Sequence, residues 1–343
     1  MSDASAAPAP TANFQASVRS CSVAGVGSFL PARILTNGEL EKMVETSDDW
    51  ITSRTGIKER RIAGENEFTS DMAAEAARRA LSQAGITAEE VDLILVATIT
   101  PDMLFPSTAC LVQQKIGARR VPSMDIEAAC SGFIYALEIG RQFIGSGTCN
   151  TVLVIGAEKL SSIIDWTDRN TCVLFGDGAG AAVLRHRPGS QGLMGNCLGA
   201  DGEKASLLCM PGGGSQLPVT QNSLDQRLHY LRMDGKETFK NAVNAMCSAA
   251  KEALERAGLD ITQIKCVVPH QANRRIIDAV SERLEATPEQ VFINLDRYGN
   301  TSAASVAIAL DEAVREGRVQ RGDKILMVAF GAGLTWGATV LEW

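Results

Sequence analysis

At 343 residues the chain is long enough for about two domains of roughly 150 residues, and its 45% apolar content can fill sizeable cores. Thirty-three Lys plus Arg against 40 Asp plus Glu give a formal net charge of -7, which argues against nucleic acid as a partner, and a 5% aromatic share offers no stacking platform for single strands. No apolar run approaches the about 20 residues that cross a bilayer, and the start Met1-Ser2-Asp3-Ala4 has neither a basic nor an apolar leader region. The expectation is a soluble cytoplasmic protein without membrane contact.

Residues 1–17 are rich in Ala, Ser and Pro and show no apolar periodicity, which reads as a flexible tail. Residues 76–96 then place Ala and Leu at helical spacing, stop at Gly85, and continue into an apolar run that reads as a buried strand. Residues 124–145 read as a strand, a corner of small residues around Cys130, and an apolar helix ending near Gly145. Leu153-Val154-Ile155 is a further strand, and the glycine run Gly176 to Gly180 leads into another at Ala181 to Leu184. Residues 187–228 carry Pro188-Gly189 and Pro211-Gly212-Gly213-Gly214 and read as loop.

The pattern then repeats. Residues 249–269 restate the helix, the stop at Gly258 and the strand at a shift of 249 - 76 = 173, and Leu326-Met327-Val328 follows Leu153-Val154-Ile155 at the same shift. Two similar halves, 18–187 and 188–343, are the economical reading. Their near-continuous apolar strands imply α/β architecture with parallel sheets covered on both faces.

Nine cysteines are an odd number with no C-x-x-C pair, which fits a reducing compartment, and His186, His229 and His270 have no neighbours at metal-ligand spacing, so no metal is expected. Cys130 stands where a strand gives way to a helix. The helix N-terminus there favours thiolate, with pKa values of roughly 3.5 to 7.5 in such positions. The plain alternative is a packed core thiol, which is how Cys110, Cys149, Cys172 and Cys266 read. His270 follows a strand directly, at the carboxyl edge where parallel sheets present active groups, the alternative being a satisfied core histidine. Asn300 sits in a second strand-to-helix corner, in the part of the second half that corresponds to Cys130, and could equally be a helix cap. Gly331-Ala332-Gly333 offers backbone N–H groups to a ligand oxygen or is simply a tight turn. Neither Gly25-Val26-Gly27 nor Gly176 to Gly180 completes a dinucleotide fingerprint, and no phosphate-cradling P-loop occurs.

Taken together, Thr46-Ser47-Asp48-Asp49-Trp50-Ile51, Arg54-Thr55-Gly56-Ile57, Ala129-Cys130-Ser131-Gly132-Phe133, Phe175 to Gly180, Pro269-His270-Gln271-Ala272-Asn273, Gly299 to Ser305 and Phe330 to Gly337 make the chain resemble the 3-oxoacyl-[acyl-carrier-protein] synthase III family of the thiolase-like superfamily. The resemblance covers nearly everything after the tail. It implies a five-layered αβαβα fold from two duplicated halves, the first carrying the nucleophile and the second the His and Asn, in a homodimer. It also implies the initiating condensation of fatty-acid synthesis, from acetyl-CoA and malonyl-carrier protein.

Matched motif by motif, the resemblance implies that Cys130 is acylated while His270 and Asn300 hold the thioester carbonyl of the second substrate. Backbone N–H groups of Cys130 and Ala332 would stabilise the oxyanion. Coenzyme A would enter as substrate rather than cofactor, along Thr46, Arg54 and Asn273, with its adenine between Trp50 and Arg169. Phe105 would reach across the dimer to close the acyl pocket and favour short starters, and Lys240 and Arg275 would dock the acidic carrier protein. The chain departs from the family in having Ala332 for a usual Gly, Leu334 for a common Phe, and Glu282-Arg283 where a basic pair is usual. Three alternatives remain: a related ketosynthase of secondary metabolism, a Cys-His-Asn acyl hydrolase with His270 as base, and a non-catalytic acyl-CoA-binding protein.

Overall fold

The computed structural model describes residues 19–343, so the expected tail at 1–17 lies outside the described residues. Both anticipated helix stops are present. The helix Thr69–Ala84 ends on Gly85 (φ 67°), and Gly235–Ala257, capped at its start by the Asp234 carboxylate, ends on Gly258 (φ 67°). Glycine carries no Cβ penalty in that left-handed conformation.

Two mixed sheets follow from the apolar runs. The first orders its strands Cys21–Phe29, Gly178–His186, Thr151–Glu158, Leu93–Ala97, Ser123–Ile126. The second orders them Leu193–Ala200, Thr335–Glu342, Lys324–Gly331, Cys266–Pro269, with a parallel bridge from Val267 to Val291 on its far side. The two central strands of the first sheet begin at Leu93 and Thr151, and their counterparts begin at Cys266 and Lys324, shifts of 266 - 93 = 173 and 324 - 151 = 173.

The expectation of parallel sheets is corrected in part. Leu93–Ala97 lies parallel to both its neighbours and Cys266–Pro269 is parallel to Lys324–Gly331, but the remaining pairs are antiparallel. Composition reports burial on two faces and is silent on direction. A second correction concerns the loop-rich stretch, which contains the strand Leu193–Ala200 at the edge of the second sheet. Its Gly195 and Gly199 weaken the apolar alternation that would have marked it.

Alternation along each central strand builds the layers. Leu93, Leu95 and Ala97 face the middle of the molecule with Ile325, Met327 and Ala329, where the helices Gly132–Gly145 and Ala304–Arg315 are packed. Ile94 and Val96 face the outer helix Thr69–Ala84, while Leu326, Val328 and Phe330 face Gly235–Ala257 and Arg274–Leu284. The result is helix, sheet, helix, sheet, helix, the αβαβα order. Close approach of the central helices needs small residues: a Cβ on Gly180 would fall 2.5 Å from the Ala307 Cβ. Among the described residues no helix is long and apolar enough to cross a membrane.

Candidate active site

Parallel neighbours deliver their carboxyl ends to one edge, where Cys130 and His270 follow their strands, whereas Asn300 follows the short helix Leu295–Tyr298 and not the strand expected before it. Cys130 follows Ser123–Ile126 on the tight turn Ala129–Ser131, which runs straight into the helix Gly132–Gly145. Its side chain is only 7% exposed, and burial pushes the thiol up to about 12. Loss of water at this depth acts against the helix terminus, which favours the thiolate. The carboxylate of Glu158 adds to the upward push.

The loop after Lys324–Gly331 backs onto the same turn. A Cβ on Gly331 would fall 2.6 Å from the Cys130 amide nitrogen, so only glycine lets the two backbones meet. The Thr335 hydroxyl lies 2.9 Å from both the Ala128 and the Ala332 carbonyl oxygens, and 2.7 Å from the Ser131 hydroxyl. Thr335 thereby fastens the Ala332 backbone to the turn that carries the thiol.

His270 ends the strand Cys266–Pro269, its amide donating to the Val328 carbonyl at 2.7 Å. It is 3% exposed, and desolvation pushes the imidazole down to about 3, so the ring is neutral. Nδ1 lies 2.6 Å from the Ser305 hydroxyl, which also accepts from the Gln271 amide at 3.4 Å. With the Ser305 proton donated to Nδ1, the ring proton lies on Nε2, the tautomer that offers the cavity a donor.

Asn300 is 6% exposed, and its amide donates to the Leu174 carbonyl at 2.8 Å. Its Oδ1 accepts from the Ser302 amide at 2.8 Å, which leaves the Nδ2 amino group free to donate.

Cys130, His270 and Asn300 line one cavity of about 360 Å³. Trp50, Arg54, Asn273 and Arg275 also line it. A second cavity of about 420 Å³ has Cys130 on its wall as well, with Ile99, Leu160, Ile163, Leu231 and Ala332. The thiol therefore stands between two spaces. One holds the His270 imidazole, the Asn300 carboxamide and two guanidinium groups, and the other is lined largely by apolar side chains.

The remaining expected residues are placed less directly. The Arg169 guanidinium lies 5.4 Å from the centre of the Trp50 ring and donates to the Glu45 carbonyl, so the two faces must part to admit a base. Arg54 approaches the same ring at 5.9 Å. Asn273 caps the helix Arg274–Leu284 through Oδ1. Thr46 does not line the cavity, and its buried hydroxyl has no partner. Lys240 is exposed on Gly235–Ala257, while Arg275 stacks on Phe239 at 5.9 Å. Phe105 is 84% exposed and lines neither cavity of its own chain. Of the cysteines read as core, Cys149, Cys172 and Cys266 are buried, but Cys110 is exposed.

Sequence reading missed Ser305, Ser302, Thr335 and Glu158. Glu158 alone left a trace, an acidic residue closing the apolar run Thr151–Glu158. The three hydroxyls are ordinary helix-start or strand-start residues until the fold brings their partners to them.

Two family models match, 3-oxoacyl-[acyl-carrier-protein (ACP)] synthase III over residues 124–202 and its C-terminal region over 254–343. The chain is 57% identical to a beta-ketoacyl-[acyl-carrier-protein] synthase III of Caldanaerobacter subterraneus, across 94% of this chain and 97% of the relative. The crystal structure of the 3-oxoacyl-[acyl-carrier-protein] synthase III of Aquifex aeolicus superposes with a TM-score of 0.88 at 51% identity, covering 94% of this chain and 100% of that one. The priming beta-ketosynthase of the R1128 polyketide pathway also superposes at 0.88, at 39% identity over 95% and 96% of the two chains. With more than half of its residues identical to a relative along nearly the full length of both, the chain belongs to the beta-ketoacyl-[acyl-carrier-protein] synthase III family, condensing acyltransferases of thiolase-like fold.

Proposed function

We propose that the chain transfers an acetyl group from coenzyme A to Cys130 and condenses it with malonyl-carrier protein, releasing carbon dioxide and coenzyme A and forming acetoacetyl-carrier protein. One observation carries this reading: the cavity holding the thiol presents two neutral donors, His270 Nε2 and Asn300 Nδ2, and no strong base. Loss of carbon dioxide generates the carbanion without removal of a proton, so the site needs groups that steady an enolate oxygen, and these two do so. In acyl transfer the tetrahedral oxyanion is served by the Cys130 and Ala332 amides, which Thr335 and Gly331 hold together.

The same donors argue against the hydrolase alternative. An imidazole whose Nδ1 is engaged by Ser305 and which protonates only near pH 3 is a poor base for water. A secondary-metabolite role is not favoured, because the relative at 57% identity is a beta-ketoacyl-[acyl-carrier-protein] synthase III whereas the polyketide-priming structure stands at 39%.

In this reading coenzyme A is a substrate and no cofactor takes part. Its adenine would enter between Trp50 and Arg169, and its arm would follow Thr46, Arg54 and Asn273 to the thiol. Lys240 and Arg275 supply basic charge for an acidic carrier protein. Met103, Leu104 and Phe105 form an exposed apolar stretch whose burial against a second copy would make a homodimer and bring Phe105 to the partner's acyl cavity. A cytoplasmic setting suits nine free thiols.

Intact-mass analysis after incubation with a series of acyl-CoAs tests the reading. Wild type should gain one acyl group, fastest with acetyl, and Cys130→Ala none. Malonyl-carrier protein should then discharge the adduct as acetoacetyl-carrier protein. An adduct on another cysteine, or release of free acid in place of product, overturns it.

A further inference from the structure

Arg60 is 0% exposed, yet every acceptor its guanidinium reaches is neutral. It stands on the strand Glu59–Ile62, which pairs with Arg33–Thr36. Nη1 donates to the Leu35 carbonyl at 3.2 Å and to Asn37 Oδ1 at 2.8 Å, while Nη2 donates to the Val173 carbonyl at 2.7 Å. Asn37 is itself fixed, because its Nδ2 donates to Asp48 Oδ1 at 2.7 Å and to the Ile57 carbonyl at 2.8 Å, which turns its oxygen to the guanidinium. Burying a cation without a counter-charge is costly. What arginine supplies in return is a rigid planar fork that reaches two separate segments of chain at once, which an apolar side chain of the same length cannot do.

The Val173 carbonyl belongs to the stretch that holds Asn300. The Leu174 carbonyl accepts from the Asn300 amide at 2.8 Å, and the Gly176 amide donates to the Asn300 carbonyl at 3.0 Å, a parallel bridge between Phe175 and Asn300. The stem of Arg60 lies against both strands of that bridge: a Cβ on Gly176 would fall 3.0 Å from the Arg60 Cβ, and one on Gly299 3.4 Å from it. Val173, Leu174, Phe175 and Asn300 all line the cavity that holds the thiol. The guanidinium therefore grips the cavity wall one residue before the carbonyl that fixes the Asn300 backbone. With Oδ1 of Asn300 taken by the Ser302 amide, the direction of Nδ2 follows from where that backbone is set.

We propose that Arg60 is a positioning residue for Asn300: its buried guanidinium, braced on Leu35 and Asn37, holds residues 173–175 in the place that aims Asn300 Nδ2 at the enolate oxygen of the second substrate. Arg60 itself touches no substrate. It serves the decarboxylation half of the reaction and not acyl loading, because Cys130 and the Ala332 backbone are held by a different set of contacts, through Thr335 and Gly331. A catalytic group misplaced by about 1 Å can cost about 100-fold in rate, so a brace one segment away from the donor is enough to govern it. The inference rests on Asn300 serving the enolate.

The test places Arg60→Lys and Arg60→Met in wild type and in Asn300→Ala and makes two measurements: the rate of acetyl adduct formation in a single turnover, and kcat and KM for malonyl-thioester decarboxylation. Arg60→Lys keeps the charge and loses the fork. It should lower the decarboxylation kcat about 10-fold and Arg60→Met about 100-fold, with KM within about twofold and adduct formation within about threefold of wild type. In Asn300→Ala neither change should slow decarboxylation by more than about twofold again, because the group they misplace is gone. Decarboxylation at the wild-type rate in both Arg60 variants overturns the proposal. So does an equal fall of both rates, a full additive loss in Asn300→Ala, or failure of both variants to fold, each of which marks a general packing role. Asn300→Ala alone decarboxylating at the wild-type rate is a different result, which removes the enolate reading itself.

Discussion

His270 was legible in the sequence as a residue at a strand end, but its protonation state was not. Only burial beside Ser305 makes it a neutral donor, and that has a measurable consequence. Because the ring charges only near pH 3, the rate of malonyl-thioester decarboxylation should stay flat between pH 5 and 7. A fall with a midpoint near 6.5 would mean an ordinary titrating imidazole. His270→Ala and Asn300→Ala should each slow decarboxylation by about 100- to 1,000-fold, the usual effect of removing one donor to an oxyanion. Acyl loading of Cys130 should survive either change. The thiol is a contrary case: helix-terminus reasoning anticipates a low pKa, and the desolvation that opposes it depends on burial that local sequence does not encode.

At the scale of elements, the helices, their glycine stops and the central strands were readable, since each is fixed by local periodicity and by a residue tolerant of left-handed backbone. Leu193–Ala200 and the direction of the outer strands were not, because pairing partners are chosen across more than a hundred residues. The loop between Lys324–Gly331 and Thr335–Glu342 is the element on which the site turns. Gly331→Ala would drive a methyl against the Cys130 amide, so acylation should fall sharply in a protein that still unfolds cooperatively. Thr335→Val removes the hydroxyl that bridges Ala128 and Ala332 and should lower the acylation rate more than the decarboxylation rate, as measured in the same pair of assays. In the middle layer, Phe133→Ala should cost about 3–5 kcal/mol by denaturant unfolding, the range for emptying a packed aromatic site.

Across the whole molecule, two buried groups tie stability to pH in opposite senses. Glu158 has its folded pKa raised to about 7 from 4.5, so its contribution is present below about pH 4.5 and lost as pH rises through 7. His270 has its folded pKa lowered to about 3 from 6.5, so its contribution is present above about pH 6.5 and lost as pH falls toward 3. Glu158→Gln should therefore raise Tm relative to wild type at pH 8 and not at pH 4.5, which thermal scans in the two buffers would check. The proposed homodimer supplies a further expectation: Leu104→Asp together with Phe105→Asp should yield monomers in sedimentation equilibrium where wild type gives dimers, with acyl loading weakened if the second copy closes the pocket.

The amino-acid sequence alone marked the layer-forming strands and a repeat at a fixed shift of 173 through local periodicity, and it singled out Cys130, His270 and Asn300 as candidates through short motifs that resemble a known family. Tertiary structure alone decided how those residues behave. Which nitrogen of His270 donates, which end of the Asn300 amide faces inward, why the thiol resists ionisation and which carboxyl lies behind it all depend on partners distant in the chain. Desolvation and hydrogen bonding act through space, and spacing along the chain does not encode them.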